Sequence, residues 1–149
     1  MKTDGERGSF LNLPSKNNKD SIIDNIDFLS GAFSPIQMNG QEVYKFAVRE
    51  VPIILEKLFN KMHYTSDEVD WLVLHQANQR ILDSVGDRLK IPTDKILSNL
   101  EKYGNTSAAT IPLVMDEAIR KNIIKQKDII ATSGFGAGLS WGAALIKWG

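Results

Sequence analysis

The sequence predicts an α/β domain built on a mixed, mostly parallel sheet with helices. Two observations carry this prediction. Short apolar runs of strand length alternate with longer runs whose apolar residues recur at helical spacing. In addition, polar segments at 75–78 and 104–109 each follow an apolar run and precede a helical one. Such positions are expected at the carboxyl ends of parallel strands, where ligands bind.

The first forty residues, 1–40, have no regular period, and we expect an irregular segment that ends a preceding half-domain. Residues 5–8 are typical of a turn that short strands would flank, the second of them at 9–13. Residues 16–20 are wholly polar and predict a solvated loop. The domain itself is therefore placed at 41–149.

The elements of that domain follow from its apolar residues in order. Helical spacing predicts one long helix over 41–61, which Pro52 is expected to kink, and further helices that start near Ile81 and Ile111. Thr106 or Ser107 would cap the last of these. Strands are predicted at 71–74, from 96–97, at 128–132 and at 139–148, the last reached through a glycine turn at 133–138.

The composition excludes several classes of function. The 149 residues fit one ordinary domain, and 18 basic and 18 acidic residues provide no net positive field for nucleic acid. The absence of cysteine excludes disulfides, thiolate metal sites and a cysteine nucleophile of the chain's own, and two histidines argue against a metal site. No apolar stretch has the length of a membrane span, and the polar N-terminus is not a signal peptide.

His75 and Asn105 are the candidate functional residues. A histidine at a strand end can equally be a capped core residue, but polar neighbours at Gln76 and Asn78 favour a functional role. Asn105 lies in a Gly-Asn-Thr turn, where it is either a turn and cap residue or a hydrogen-bond donor. A neutral imidazole N–H and an amide NH₂ directed at one point would stabilise an oxyanion or enolate without proton transfer.

The glycine-rich segment 134–138 precedes a strand and not a helix, which excludes a nucleotide-binding loop. It favours a tight turn whose backbone N–H groups approach a ligand closely. Arg80 lies two residues beyond Asn78 and near the expected site. The remaining basic residues singled out on helices are expected to be solvated: Lys45, Arg49 and Arg88.

Four motifs occur in a fixed order along the chain. They are Met-Asn-Gly at 38–40 with the helix that follows to 49, His-Gln-Ala-Asn at 75–78, Gly-Asn-Thr-Ser-Ala-Ala at 104–109, and Phe-Gly-Ala-Gly-Leu-Ser-Trp-Gly at 135–142. Together they resemble the β-ketoacyl-acyl carrier protein synthase III family over nearly the whole chain. The resemblance implies the C-terminal half of a thiolase-like fold, in which two similar α/β halves are related by a pseudo-twofold axis.

The resemblance also implies an activity. The family condenses acetyl-CoA with malonyl-acyl carrier protein to start fatty-acid synthesis, and its catalytic set is Cys-His-Asn. His75 and Asn105 would be the last two members, and they would stabilise the enolate that forms when the malonyl group loses CO₂. The backbone at Ala137 would match the oxyanion hole, with Phe135 in the same pocket.

Binding roles follow from the same resemblance. The pantetheine tunnel would be lined by Met38, Gly40, Asn78 and Phe135. The carrier-binding segment would comprise Gln76, Ala77, Asn78, Gln79 and Arg80, with Lys45 as a secondary candidate.

The implied partners are acyl carrier protein, CoA thioesters and an N-terminal half, in cis or in trans, that carries the cysteine. A homodimer is expected from the family, whereas nucleic acid and membrane are not expected partners. No cofactor is implied, because acetyl-CoA and malonyl-acyl carrier protein carry their own phosphopantetheine. The expected location is the cytoplasm, or the plastid stroma for a plastid protein.

Three hypotheses remain open from the sequence. The chain is a catalytic half that is inactive alone, or a non-catalytic fragment or carrier-binding module that acts through Arg80, or a catalyst of malonyl decarboxylation without condensation. The intact motifs around His75 and Asn105 favour the first, because a decaying remnant has no physical need of them.

Overall fold

The computed structural model describes the backbone of residues 1–23 and 26–149 and the side chains of residues 1–15 and 34–149. The N-terminal part contains five strands, which are β1 (Lys2–Thr3), β2 (Leu11–Asn12), β3 (Ser15–Ile23), β4 (Ile26–Phe33) and β5 (Gln37–Met38). The rest comprises α1 (Gly40–Met62), β6 (Trp71–Leu74), α2 (Gln79–Leu89), α3 (Leu100–Tyr103), α4 (Thr110–Arg120), β7 (Ile129–Gly136) and β8 (Ser140–Lys147).

The central sheet has the strand order β1-β8-β7-β6. It is mixed, as predicted, but among the described strands the parallel pairing is confined to β6 and β7. β8 returns from β7 through the turn at 137–139 and is therefore antiparallel to it, and β1 adds antiparallel to the other edge of β8. The prediction that the sheet is mostly parallel is therefore wrong. β8 is joined to β7 by a hairpin, β1 comes from the N-terminus, and both pair antiparallel.

Helices cover both faces of this sheet. α1 and α2 pack with Leu72 and Leu74 of β6 in one apolar core. The intervening residue of β6, Val73, faces a second core with Val114 and other residues of α4. This alternation places apolar side chains on both faces of β6, which explains why its sequence is continuously apolar.

Helices α1, α2 and α4 agree with the predicted spacing, whereas α3 was not predicted. α1 begins where the Asn39 side chain accepts a hydrogen bond from the Glu42 amide at 3.2 Å. It continues through Pro52, which is buried within it, and ends at His63 in the left-handed conformation. The apolar face predicted for α2 is buried at Ile81, Leu82, Val85 and Leu89.

The N-terminal forty residues agree with the prediction at the short strand, since β2 lies within 9–13, and differ from it elsewhere. The loop expected at 16–20 lies within β3, which pairs with β4 over its length. The turn expected at 5–8 belongs to a 3₁₀ helix, Gly5–Phe10. The β3–β4 hairpin is held by main-chain pairing, which does not require alternating apolar residues. Because strands are recognised in a sequence by that alternation, these two strands were not predicted. β1 joins the domain's own sheet, while the domain boundary at residue 40 stays a prediction.

Three local expectations are also wrong. Thr106 and Ser107 do not cap α4, since neither side chain makes a capping bond and a 3₁₀ turn, Ser107–Ala109, leads directly into the helix. The glycine turn expected at 133–138 is shorter, because β7 extends to Gly136, which pairs with Ser140 of β8. The strand expected at 96–97 is a single parallel bridge from Ile96 to Leu72.

Candidate active site

An open groove of about 610 Å³ lies at the carboxyl ends of β6 and β7. His75 follows β6, Phe135 lies near the end of β7, and Asn105 belongs to the turn that precedes α4. All three residues line the groove although they are distant in sequence. The expected convergence of His75 and Asn105 on one site is therefore what the structure shows.

The sheet holds the His75 backbone, and its neighbours hold the ring. The His75 amide donates to the Ser133 carbonyl at 2.9 Å, which extends the pairing of β6 with β7 by one residue. The imidazole Nδ1 lies 2.7 Å from the Thr110 hydroxyl. Because Nδ1 is engaged and the ring lines the groove, Nε2 is the nitrogen available to a ligand.

Burial lowers the pKa of His75 below its ordinary value, because desolvation disfavours the imidazolium. Phe135 packs edge-on to the imidazole, with ring centroids 5.2 Å apart, and contacts Phe46 of the core on another side. At neutral pH, His75 is therefore a neutral imidazole with one N–H, suited to hydrogen-bond donation.

Asn105 is held by its own turn. Its Oδ1 accepts a hydrogen bond from the Ser107 amide at 2.9 Å. Since a backbone N–H can only donate, this bond identifies the oxygen and leaves the Nδ2 amide group as the donor on the groove side. The turn requires a positive φ at Gly104, which is +64°. Asn105 thus has its acceptor oxygen bonded to protein and its amide NH₂ remaining, whereas His75 has Nδ1 bonded to Thr110 and Nε2 remaining.

The hairpin turn and the N-terminal segment form the other walls. Ala137 is exposed at the turn and lines the groove. Met38 also lines it and is 62% exposed, together with Leu13 and Ile36. Gly40 begins α1 beside Met38 and is not among the lining residues. The assignment of these residues to a tunnel stays a proposal.

Gln76 corrects the predicted carrier-binding segment. Its side chain is fully buried, and its amide donates to the Leu74 carbonyl at 2.9 Å. Its Oε1 accepts from the Ser98 hydroxyl at 2.8 Å. A residue buried in this way is structural, so the expectation that Gln76 contacts a carrier protein is wrong. Its side chain points into the protein, whereas Asn78, Gln79 and Arg80 of the same segment are exposed.

The other residues of that segment lie at the surface. Asn78 caps α2 by accepting from the Arg80 amide at 2.9 Å, and it does not line the groove. Gln79 is exposed and donates to Asp83 at 2.8 Å. Ala77 is half-buried and lines the groove.

Arg80 is exposed, with its guanidinium 5.1 Å from the centre of the Tyr44 ring. The Tyr44 hydroxyl in turn hydrogen-bonds the Ser84 hydroxyl at 3.0 Å, which fixes the ring between α1 and α2. Lys45, the secondary candidate, is paired with Glu42 at 2.8 Å. A cation held over an aromatic ring keeps its N–H groups available to an anionic partner.

Sequence reasoning did not single out Thr110 or Tyr44 for the site. Thr110 was missed because its partner, His75, lies 35 positions earlier. Tyr44 was quoted only within a motif, and its contact with Arg80 spans two helices. Neither contact has a local sequence signal.

Two further observations concern other kinds of site. Among the described residues, no group of three or more histidine, cysteine, aspartate or glutamate side chains is placed to hold a metal ion. The helices within the described ranges are all too short or too polar to cross a membrane.

A model of the C-terminal domain of 3-oxoacyl-[acyl-carrier-protein] synthase III matches residues 59–148, which is more than half of the chain. The chain belongs to the 3-oxoacyl-[acyl-carrier-protein] synthase III family. The matched range contains His75, Asn105 and the β7–β8 hairpin, so the family assignment rests on the elements that build the groove.

Relatives with the same name extend the match to the whole chain. The β-ketoacyl-[acyl-carrier-protein] synthase III of Prochlorococcus marinus (strain MIT 9301) is 94% identical over all 149 residues, which span 44% of that relative. The synthase III of Trichormus variabilis is 54% identical, with 45% of it covered. The chain therefore spans less than half the length of the curated relatives it matches.

Solved synthase III structures share the fold. The enzyme from Aquifex aeolicus superposes with a TM-score of 0.81 at 33% identity, over 99% of this chain and 42% of the other. The enzyme from Thermus thermophilus gives 0.82 at 34% identity, over 99% and 44%. The expected identity as a C-terminal part of a synthase III, with its α/β fold, is confirmed.

Proposed function

We propose that the chain is the C-terminal catalytic half of a β-ketoacyl-acyl carrier protein synthase III. The observation that carries this proposal is the pair of donors on one groove, the imidazole of His75 and the amide of Asn105. The Asn105 oxygen is bonded to the Ser107 amide, which leaves the amide NH₂ for a ligand, and the His75 Nδ1 is bonded to Thr110, which leaves Nε2 for a ligand.

Two neutral donors suit a reaction in which negative charge develops on one oxygen. In a malonyl thioester, cleavage of the bond to the carboxylate releases CO₂ and leaves the electron pair in an enolate. His75 and Asn105 would donate to the thioester oxygen, which carries the enolate charge. The enolate carbon would then attack an acyl group on a cysteine and expel the thiolate, which forms the new carbon–carbon bond.

The cysteine must come from outside these residues, since the chain contains none. The relatives are more than twice as long as the matched segment, and we place the acylated cysteine in the remainder. The open groove supports this arrangement. Leu13, Ile36 and Met38 at its edge are 49%, 70% and 62% exposed, an apolar rim that further protein would cover.

The substrates follow from the same reaction. We propose acetyl-CoA and malonyl-acyl carrier protein, with Arg80 as the cation that meets an acidic carrier beside the groove. The reaction requires no cofactor. The homodimer and the cytoplasmic location implied by the resemblance are kept as part of the proposal.

A chimeric protein, called the joined protein below, tests the proposal. In it, residues 1–149 replace the matching segment of the Prochlorococcus marinus relative, to which they are 94% identical. We expect the joined protein to condense acetyl-CoA with malonyl-acyl carrier protein, and His75→Ala to remove that activity. His63→Asn is the matched control, because His63 is exposed at the end of α1 and Asn tolerates its left-handed backbone.

The result also separates the alternatives. A folded joined protein without condensing activity would overturn the proposal. In that case, CO₂ release from malonyl-acyl carrier protein would indicate decarboxylation alone, and carrier binding without CO₂ release would indicate a binding module.

A further inference from the structure

The Thr110 hydroxyl makes the contact that orients the imidazole of His75. Thr110 is the first residue of α4 and is 1% exposed. Its Oγ1 lies 2.7 Å from His75 Nδ1, which is the short end of the hydrogen-bond range. Within the described part of the chain, the Thr110 side chain makes no other hydrogen bond.

The direction of this bond follows from what each atom needs. A hydroxyl has one hydrogen to donate, and a neutral imidazole has one N–H and one acceptor nitrogen. If Nδ1 carried the hydrogen, the buried Thr110 hydroxyl would have no acceptor among the described residues, and an unsatisfied buried donor is costly. If Thr110 donates to Nδ1, its hydrogen is satisfied and the imidazole hydrogen resides on Nε2.

From this contact we infer that Thr110 is a positioning residue that holds His75 in the tautomer with its hydrogen on Nε2, facing the substrate oxygen. The inference rests on the proposed function, because it explains how His75 becomes a donor in the groove. Phe135 limits the tilt of the ring through its edge-on contact, but an apolar ring does not select a tautomer.

Selection of one tautomer is important because the His75 ring is neutral. Burial keeps His75 neutral, so only one of its nitrogens is a donor at any time. The first turn of α4, which begins at Thr110, adds the positive end of a helix dipole beside Nδ1 and further disfavours the imidazolium. A ring with its hydrogen on Nδ1 would present a lone pair to the enolate oxygen and repel it.

Thr110→Val in the joined protein is the first test. Valine keeps the shape of threonine and removes the hydroxyl. We expect kcat for malonyl decarboxylation to fall on the order of tenfold to a hundredfold, with KM little changed, because the bond acts on the charge of the transition state. Thr110→Ser restores a hydroxyl at the same place and should recover most of the rate.

Thr132→Val is the matched control. Thr132 is also buried, but its hydroxyl has no hydrogen-bond partner among the described residues. Loss of that hydroxyl should leave kcat unchanged. A loss of kcat in Thr110→Val that Thr110→Ser does not restore would assign Thr110 a packing role and overturn the inference.

A second measurement does not depend on any variant at Thr110. In ¹⁵N-histidine spectra of the joined protein, with the His75 signals assigned by their loss in His75→Gln, we expect the hydrogen on Nε2. A hydrogen on Nδ1 would overturn the inference. Failure of the proposed function is distinct from both results, since it would show as absent activity in the joined protein that carries the unaltered chain.

Discussion

Gln76 accepts a hydrogen bond from the Ser98 hydroxyl at 2.8 Å, which joins the segment after β6 to the segment that leads towards Asn105. The same Oε1 accepts a hydrogen bond from the backbone amide of Asn99 at 3.3 Å. One buried amide thus sets the distance between the two parts of the chain that carry His75 and Asn105. The geometry of the site depends on a residue that does not touch the groove.

Gln76→Ala should therefore destabilise the joined protein. It leaves several buried polar groups without partners and opens a cavity, and we expect a loss of about 2–4 kcal/mol in the free energy of unfolding. Urea unfolding measures this loss. Gln79→Ala is the control, because Gln79 is exposed and, within the described part of the chain, its side chain bonds only to Asp83. A Gln76 variant as stable as the Gln79 variant would show that the buried network is not needed.

Arg80→Ala should weaken the interaction with an acidic carrier protein. An exposed ion pair with the carrier contributes up to about 1 kcal/mol, so we expect KM for malonyl-acyl carrier protein to rise up to about fivefold with kcat unchanged. Steady-state kinetics at two salt concentrations check the expectation, since added salt should reduce the difference. Arg120→Ala is the control, because Arg120 is exposed on α4 and paired with Asp116. Equal KM values for the two variants would remove Arg80 from the carrier site.

The titration of His75 should make the free energy of unfolding depend on pH. Its pKa in the folded protein is lower than the ordinary 6.5, so the unfolded chain takes up the proton first as the pH falls. The stability present above about pH 6.5 is then lost as the pH falls through the folded pKa. Protonation of Nδ1 would also break the hydrogen bond that Thr110 donates to it, so decarboxylation should decline over the same low pH range.

An NMR titration of His75 and urea unfolding at several pH values provide the check. His75→Gln should remove this part of the pH dependence, whereas His63→Asn should retain it. A folded pKa for His75 at or above 6.5 would contradict the account.

Glu117 gives a second pH dependence, at lower pH. Hydrogen bonds from Lys121 and Lys102 lower the pKa of Glu117 to about 2. Because the folded pKa is depressed, the contribution is present above the unfolded pKa of 4.5 and is lost as the pH falls towards about 2. Lys102 is on α3 and Glu117 on α4, so protonation loosens the contact between these helices.

The check is the slope of stability against pH below 4.5. Glu117→Gln should flatten this slope, whereas Glu101→Gln, on the neighbouring helix α3, should not. Identical slopes in Glu117→Gln and the unaltered protein would show that the ion pairs are fully screened by solvent.

The elements around the site were predictable where the sequence signal is local. The apolar run of β6 and the helical spacing of α2 depend on neighbouring residues, and both were located correctly. The turn that holds Asn105 was recognised from its glycine and asparagine. Convergence of His75 and Asn105 was predicted from the rule that strand ends share an edge, but that rule applies only to His75, which follows β6, because Asn105 follows α3.

The remaining features depend on partners far apart in the sequence. Burial of Gln76 requires Ser98, 22 positions later, and an isolated glutamine is usually exposed. The β3–β4 hairpin is held by main-chain bonds, which leave no side-chain pattern. Pairing of β1 with β8 joins the two ends of the chain, across 137 positions, and local spacing cannot indicate it.

The most direct test of the central claim is a double-mutant cycle on CO₂ release from malonyl-acyl carrier protein by the joined protein. If His75 and Asn105 hold the same oxygen, each change to alanine should lower kcat on the order of 10²- to 10³-fold. The double variant should then lose little more than either single variant, because the two donors act as a unit. A wild-type rate in either single variant, or a double loss equal to the product of the two single losses, would contradict the account.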